Sequence, residues 1–282
     1  MRAYELGQYE KSMPNTLTWK EKLQLCREFG FDYLEMSVDE SDEKLARLQY
    51  TKEERGAIVR AMEETGVRIH SMCLSGHRKY PLGHPDEHIQ KKALQIMEAA
   101  VQLADDLGIR IIQLAGYDVY YEEGNEQTRQ NFIRNLRHCV ELAAKKGILL
   151  GFEIDSETPF MDTVEKSMHY VQQAASPYLG VYPDMGNLKN ASLLYGKDVN
   201  EDIRTGKGHI VAAHLKETIP GHYREIPFGS GHTEFVENIR ELKQQGVRMF
   251  VGEFWYTGNS DWQKVCTHAS AFLRDKLDQV FV

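Results

Sequence analysis

The strongest constraint on the fold of this chain is a regular alternation of two kinds of segment. Short runs rich in apolar and β-branched residues alternate with longer segments in which apolar residues recur every three or four positions, the period of a helix. The segment from Ile89 to Leu107 shows this helical period most clearly. The pattern predicts eight strands, each followed by a helix: Leu6–Tyr9, Tyr33–Met36, Arg68–Met72, Arg110–Leu114, Leu149–Ile154, Leu179–Tyr182, Ile210–His214 and Met249–Glu253.

Glycine marks the ends of many of the predicted helices. Five of these helices are followed by a glycine just before the next strand, at Gly30, Gly66, Gly108, Gly147 and Gly246. Glycine adopts the left-handed conformation that ends a helix at little cost. Repeated right-handed βα units build a parallel sheet, and eight of them predict a single (β/α)8 TIM barrel spanning residues 1–282. An open doubly wound sheet is the alternative, but no glycine-rich dinucleotide fingerprint follows the first strand.

Composition excludes several classes of protein. Lysine and arginine number 34 against 42 aspartate and glutamate, and the net charge of −8 argues against broad nucleic-acid binding. An uninterrupted apolar run of about 18 residues is absent, so we expect no membrane span. The first ten residues lack a signal-peptide pattern, and the four cysteines are scattered without a CxxC pair. We therefore expect a cytoplasmic protein with reduced thiols.

Four successive predicted strands end in a potential metal ligand: Glu153, Asp184, His214 and Glu253. Consecutive members are separated by about one βα unit, so their side chains can converge at the mouth of a barrel. Taken singly, such a carboxylate is more often a solvated charge, and such a histidine is more often a core residue. Together, three carboxylates and one imidazole predict a site for one divalent metal ion, Mn²⁺, Mg²⁺ or Co²⁺, with Zn²⁺ also compatible.

Basic residues in the loops after the strands are candidates for binding an anionic substrate. Segment 75–79 contains His77 and Arg78, and either an anion site or an ordinary solvated loop is consistent with it. Lys216 and Arg224 follow the predicted ligand His214, and His70 near the end of the third strand either faces the site or makes a structural hydrogen bond. In a TIM barrel the catalytic face is formed by the loops after the strands, here Ser37–Gln49, Ser75–Asp86, Tyr117–Asn125, Gly186–Asn200 and Lys216–Gly231.

Several longer segments resemble one family over nearly the whole chain. They are FDYLEMSVDE at 31–40, SMCLSGHR at 71–78, IQLAGYDVYY at 112–121, YPDMGN at 182–187 and HLKET at 214–218. In these segments the chain resembles the L-ribulose-5-phosphate 3-epimerases of the xylose-isomerase-like TIM barrel superfamily, which serve bacterial ascorbate and pentose catabolism. Barrels of this family are often dimers, so the resemblance implies a possible homodimer.

The resemblance also implies roles for particular residues. Glu153, Asp184, His214 and Glu253 would bind the metal (Mn²⁺, Zn²⁺ or Co²⁺), and Glu153 and Glu253 would also form the acid/base pair. Related enzymes that act on free ketoses have a histidine three residues after the metal-binding aspartate, where this chain has Asn187, a further candidate for binding the substrate. That departure, together with the basic loop, favours a ketopentose phosphate as substrate.

The implied reaction is the interconversion of L-xylulose 5-phosphate and L-ribulose 5-phosphate. The C3 proton is removed to give a cis-enediolate, which a divalent ion would stabilise as a Lewis acid, and two carboxylates transfer the protons. The main alternative is an aldose–ketose isomerase on the same scaffold. More distant alternatives are an endonuclease of the endonuclease IV type, which needs a histidine-rich zinc cluster, and a non-catalytic barrel.

Overall fold

A computed structural model describes residues 3–155 and 159–281 of the chain. Eight strands alternate with helices along it. Every ladder between neighbouring strands is parallel, and the order around the sheet is β6-β5-β4-β3-β2-β1-β8-β7. This arrangement confirms the predicted (β/α)8 barrel. The strands are β1 (Glu5–Tyr9), β2 (Tyr33–Val38), β3 (Arg68–Leu74), β4 (Ile111–Leu114), β5 (Leu149–Glu153), β6 (Leu179–Tyr182), β7 (Ala213–Leu215) and β8 (Met249–Gly252).

The helices pack around the outside of the barrel. They are α1 (Trp19–Glu28), α2 (Asp42–Ala46), α3 (Lys52–Thr65), α4 (Glu87–Leu107), α5 (Glu126–Lys145), α6 (Val164–Ala174), α7 (Met185–Tyr195), α8 (Val199–Thr205), α9 (Phe235–Gln244) and α10 (Trp262–Val280). All five glycines predicted to end helices have positive φ, between 66° and 90°. Within the described ranges, none of the helices is long and apolar enough to cross a membrane.

Two segments predicted as loops contain helices. Residues 186–200 form most of α7 and the start of α8, and the segment Ser37–Gln49 contains α2. Helices α7 and α2 each begin at a side-chain cap. Asp184 accepts a hydrogen bond from the backbone N–H of Asn187 at the start of α7, and Ser41 accepts one from that of Lys44 at the start of α2. Such caps satisfy backbone donors that would otherwise lack partners, and they explain why helices start directly after the strands.

The barrel closes between β6 and β7 through isolated bridges, which join Val181 to Ile210 and Asp184 to His214. Strand β7 is shorter than the predicted Ile210–His214 and begins only at Ala213. Pro183 explains the interruption, because proline has no N–H to donate to a ladder. Its carbonyl still accepts a hydrogen bond from the backbone N–H of His214, and this bond keeps the two strand ends together.

Tyr33 fills the interior of the barrel near the amino-terminal ends of the strands. The Tyr33 hydroxyl donates a hydrogen bond to the carbonyl of Phe250 across the barrel, at 3.0 Å. Gly7 makes room for this ring, since a Cβ at that position would lie 2.4 Å from it. The large apolar core lies between the strands and the surrounding helices. The polar side chains described next lie above this floor, toward the carboxyl ends of the strands.

Candidate metal centre and active site

The four predicted ligands lie at the carboxyl ends of four neighbouring strands. Glu153 is the last residue of β5, and Glu253 directly follows β8. His214 is the middle residue of β7, and Asp184 stands between β6 and α7. Because all eight strands are parallel, these positions share one end of the barrel.

The structure brings these four side chains together around the imidazole of His214. His214 Nδ1 lies 3.4 Å from Glu253 Oε2, 3.8 Å from Glu153 Oε1 and 3.9 Å from Asp184 Oδ2. Ligand atoms of Glu153, His214 and Glu253 all lie within 4.8 Å of one another. Three carboxylates and one ring nitrogen therefore face a common centre.

The oxygens of this centre suit a divalent cation. Asp184 Oδ2 and Glu253 Oε2 are buried and, among the described residues, lack a hydrogen bond of good geometry, although the ammonium group of Lys216 lies close to both. A buried carboxylate oxygen is costly unless a donor or a cation satisfies it. An oxygen-rich set with one imidazole matches the ligand preferences of Mn²⁺, Co²⁺ and Zn²⁺. The residues present therefore fit a bound divalent ion.

Lys216 lies inside this carboxylate cluster. Its ammonium nitrogen is 3.2 Å from Asp184 Oδ2 and 3.1 Å from Glu253 Oε2, and the side chain is only 6% exposed. Burial would lower the pKa of Lys216, but the neighbouring carboxylates outweigh it and raise the pKa above its ordinary value. The sequence suggested Lys216 as a phosphate ligand, whereas the structure places its charge between two of the predicted metal ligands.

The two candidate acid/base residues have pKa values displaced in opposite directions. Burial, reinforced by the nearby Glu253, raises the pKa of Glu153 to about 8. Burial also acts to raise the pKa of Glu253, but Lys216 and His214 overcome it and hold the pKa well below the ordinary value. These two carboxyl groups of the site therefore differ in how strongly they hold a proton. Such a pair is typical of acid/base catalysis.

Glu35 in the middle of β2 belongs to the candidate site but was missed by the sequence analysis. Its carboxylate accepts hydrogen bonds from His214 Nε2 at 2.6 Å, Ser71 Oγ at 2.6 Å and the Tyr182 hydroxyl at 3.0 Å. By holding Nε2, Glu35 orients the ring so that Nδ1 faces the carboxylates. The signal was present as a single acidic residue inside an otherwise apolar strand.

A pocket of about 510 Å³, including its open mouth, lies over this centre. Arg78 and Arg224 lie in its wall, where Arg78 stacks 4.4 Å from the Tyr120 ring and Arg224 lies 5.6 Å from the Trp255 ring. The side-chain amide of Asn187, a predicted substrate ligand, donates to the carbonyl of Ile154 and also borders the pocket. The lining residues are Tyr9, Lys11, Cys73, Ser75, Arg78, Glu153, Asp155, Asn187, Lys216, Tyr223, Arg224, Glu253 and Trp255.

Comparison with known proteins assigns the family. The family described as "Xylose isomerase-like TIM barrel" matches residues 23–276. L-ribulose-5-phosphate 3-epimerase UlaE of Escherichia coli O157:H7 is 46% identical over 241 residues, covering 86% of this chain and 83% of that protein. The chain belongs to the L-ribulose-5-phosphate 3-epimerase family. UlaE of Shigella boydii serotype 18 matches with the same identity and coverage.

Solved structures of sugar epimerases share the fold of this family member. D-allulose 3-epimerase from Methylomonas sp. in complex with D-allulose superposes with a TM-score of 0.80 at 16% identity, covering 100% of this chain and 98% of that chain. An L-ribulose 3-epimerase superposes with a TM-score of 0.77 at 17% identity, covering 98% and 95%. Because the relatives that are 46% identical are L-ribulose-5-phosphate 3-epimerases, the protein is an isomerase of the carbohydrate epimerase type.

Two predicted substrate ligands lie away from the epimerase pocket. His70 lies low in β3, where its ring packs edge-on against Tyr33 at 5.1 Å. His77 is buried, and its Nε2 lies 3.1 Å from the carbonyl of Ala93 in α4. Burial lowers the pKa of His77 to about 4, so the ring is neutral at pH 7. These placements correct the expectation that His70 and His77 contact the substrate.

Proposed function

We propose that this protein interconverts L-xylulose 5-phosphate and L-ribulose 5-phosphate by metal-dependent 3-epimerisation through a cis-enediolate. The observation that carries the proposal is the geometry of the site: ligand atoms of Glu153, His214 and Glu253 lie within 4.8 Å of one another, and Asp184 Oδ2 lies 3.9 Å from His214 Nδ1. The substrate follows from relatives that are 46% identical and are named L-ribulose-5-phosphate 3-epimerases.

In this proposal one divalent ion, Mn²⁺, Zn²⁺ or Co²⁺, is held by the four residues predicted from the sequence: Glu153, Asp184, His214 and Glu253. A bound ion supplies Lewis-acid stabilisation of the negative charge that develops on the C2 and C3 oxygens. Two neighbouring residues hold the proposed ligands in place. Glu35 fixes the ring of His214, and the backbone N–H of Asn187 fixes the carboxylate of Asp184.

The proton transfers are carried by Glu153 and Glu253. An ionised carboxylate takes the C3 proton on one face of the sugar, and a protonated carboxyl group on the other face returns one. Their positions support this division of roles, because Glu153 ends β5 and Glu253 follows β8, so the two carboxyl groups reach the common centre from different strands. In the reverse reaction the two groups exchange roles, so a single site serves both directions.

The phosphate of the substrate is assigned to the arginines of the pocket wall. Arg78 and Arg224 both line the pocket, and the guanidinium group offers the fork of donors that suits a phosphate. Binding energy from this remote group would orient C3 between the two carboxyl groups.

The first experiment is proton NMR of the enzyme with Mn²⁺ and L-xylulose 5-phosphate in D₂O. We expect L-ribulose 5-phosphate carrying deuterium at C3. An aldose product carrying deuterium at C2, with exchange at C1 of the remaining ketose, would instead establish the isomerase alternative. A lack of exchange with pentulose phosphates under Mn²⁺, Zn²⁺ and Co²⁺ would contradict the proposed substrate.

Substitutions test the acid/base assignment. At saturating Mn²⁺, Glu153→Gln and Glu253→Gln should each lower kcat by about 10²–10⁴-fold, the range for a lost general acid or base. Bound metal measured in the same samples separates loss of the ion from loss of proton transfer. Glu64→Gln is the matched control, since Glu64 pairs with Lys20 on the surface. Near-normal kcat in both site variants would rule the mechanism out.

A further inference from the structure

Lys216 is placed where a metal-binding site would ordinarily exclude a positive charge. Its ammonium nitrogen lies 3.2 Å from Asp184 Oδ2 and 3.1 Å from Glu253 Oε2, and the side chain is almost fully buried. These are the same two oxygens that lack a hydrogen bond of good geometry within the described ranges. The ammonium group is therefore the cation that offsets their charge in the metal-free protein.

A divalent ion and this ammonium group cannot both bind closely to the same two carboxylates. The oxygens are shared, and two cations held close together in a buried site repel each other strongly. A lysine suits such an exchange better than an arginine, because its flexible stem carries a compact charge that can move. The Trp255 ring lies 5.8 Å from the ammonium nitrogen and offers it an adjacent cation–π position.

We infer that Lys216 is a built-in counter-cation that competes with the divalent ion for Asp184 and Glu253. It keeps the carboxylates assembled before the metal arrives, and it weakens metal binding by opposing the charge of the ion. Lys216 is thus a positioning residue of the metal site and not a phosphate ligand. The inference rests on the proposed metal-dependent function, and it extends that function by identifying a residue that sets the affinity for the ion.

The test is the dissociation constant of Mn²⁺, measured by calorimetry and by the EPR signal of free Mn²⁺. Lys216→Gln should bind Mn²⁺ at least about tenfold more tightly than the wild type, because it removes the competing charge. Lys11→Gln is the matched control: Lys11 also lines the pocket, but its ammonium group pairs with Asp39 at 2.6 Å. That variant should stay within about twofold of the wild type. Lys216→Arg, which keeps the charge, should not show the tighter binding.

The result that would overturn the inference is an unchanged or weaker Mn²⁺ affinity in Lys216→Gln. A second measurement does not depend on that variant folding. In the wild type, the ¹⁵N-labelled ammonium signal of Lys216 should shift on addition of diamagnetic Zn²⁺, and an unchanged signal would also contradict competition. Deuterium exchange at C3 by the wild type separately reports on the proposed function. An active wild type with unaltered affinity in Lys216→Gln would refute only the role of Lys216.

Discussion

Glu35 lies fully buried beneath His214, and its carboxylate accepts hydrogen bonds from side chains on three other strands. The donors are His214 on β7, Ser71 on β3 and Tyr182 on β6. A metal-binding histidine depends on such a partner, which selects the ring nitrogen that faces the ion and holds the ring in place. In the proposed metal site, Glu35 therefore holds the ring of His214 in the orientation that metal binding needs.

We expect Glu35→Gln to weaken Mn²⁺ binding by about 10–100-fold, the usual effect of losing a partner of a ligating histidine. The side-chain amide of glutamine has one oxygen in place of the two carboxylate oxygens. Either His214 or the Ser71–Tyr182 pair therefore loses its acceptor. Calorimetric titration with Mn²⁺ measures the effect. Glu40→Gln, at a half-buried position where the carboxylate accepts from Tyr121, should leave the affinity unchanged. Equal affinities for Glu35→Gln and the wild type would show that Glu35 does not orient the ligand.

The residues differ in how far their roles could be predicted from the sequence. Glu153, Asp184, His214 and Glu253 could be found because the position of a strand end alone places them at one face. The placement of Lys216 and His77 could not be predicted. Whether a side chain turns toward a carboxylate cluster or toward a helix depends on packing between segments distant in sequence.

At the scale of elements, a buried ion cluster around Glu10 joins β1 to α1 and α2. Glu10 Oε1 accepts from Lys22 of α1 at 2.5 Å and from Lys44 of α2 at 2.9 Å. Arg47, just after α2, donates to both carboxylate oxygens, at 2.6 and 2.8 Å. Glu10 stands between Tyr9 and Lys11, which both line the pocket, so the cluster fixes one wall of the site.

We expect Glu10→Gln to lower the free energy of unfolding at pH 7 by about 3–5 kcal/mol, because three buried cations lose their shared anion. Burial acts to raise the pKa of Glu10, but Arg47, Lys22 and Lys44 overcome it and hold the pKa far below the ordinary value. The stabilisation of the folded wild type by ionised Glu10 is therefore fully present when the pH lies above the pKa of Glu10 in the unfolded chain. This stabilisation is lost as the pH falls below about 4.5 toward the lower pKa of the folded state.

Urea unfolding at pH 7 and at pH 3 tests this prediction. The difference between the wild type and Glu10→Gln should shrink at the lower pH. Glu64→Gln, which removes one surface ion pair with Lys20, should leave the free energy of unfolding nearly unchanged at either pH. A difference that is small at pH 7, or that grows on acidification, would show that the cluster does not stabilise the fold.

At the scale of the whole molecule, the repeated strand–helix–glycine pattern was enough to predict the barrel. The pattern predicted the number of strands and their parallel direction, and the family comparison agrees. It did not predict the weak seam between β6 and β7. There Pro183 interrupts the ladder, and among the described residues the barrel closes through bridges at Ile210 and His214. The periodicity of apolar residues indicates which side chains are buried. It carries no information on the seam, which arises because Pro183 has no backbone N–H to donate. The expected homodimer stays a prediction.

Because the proposed ion would join β5, β6, β7 and β8, its binding should stabilise the barrel as a whole. An ion at about 100 times its dissociation constant adds about 2.7 kcal/mol to the stability of the folded state. For a domain of this size that corresponds to a rise in Tm of about 5 °C. Calorimetric scans with Mn²⁺, and then with excess EDTA, should show the rise and its reversal. Glu253→Gln should lose most of the rise, since it removes a ligand from β8, whereas Glu64→Gln should retain it. A Tm that is insensitive to millimolar Mn²⁺, Zn²⁺ and Co²⁺ would mean that the four strand ends do not bind a common ion.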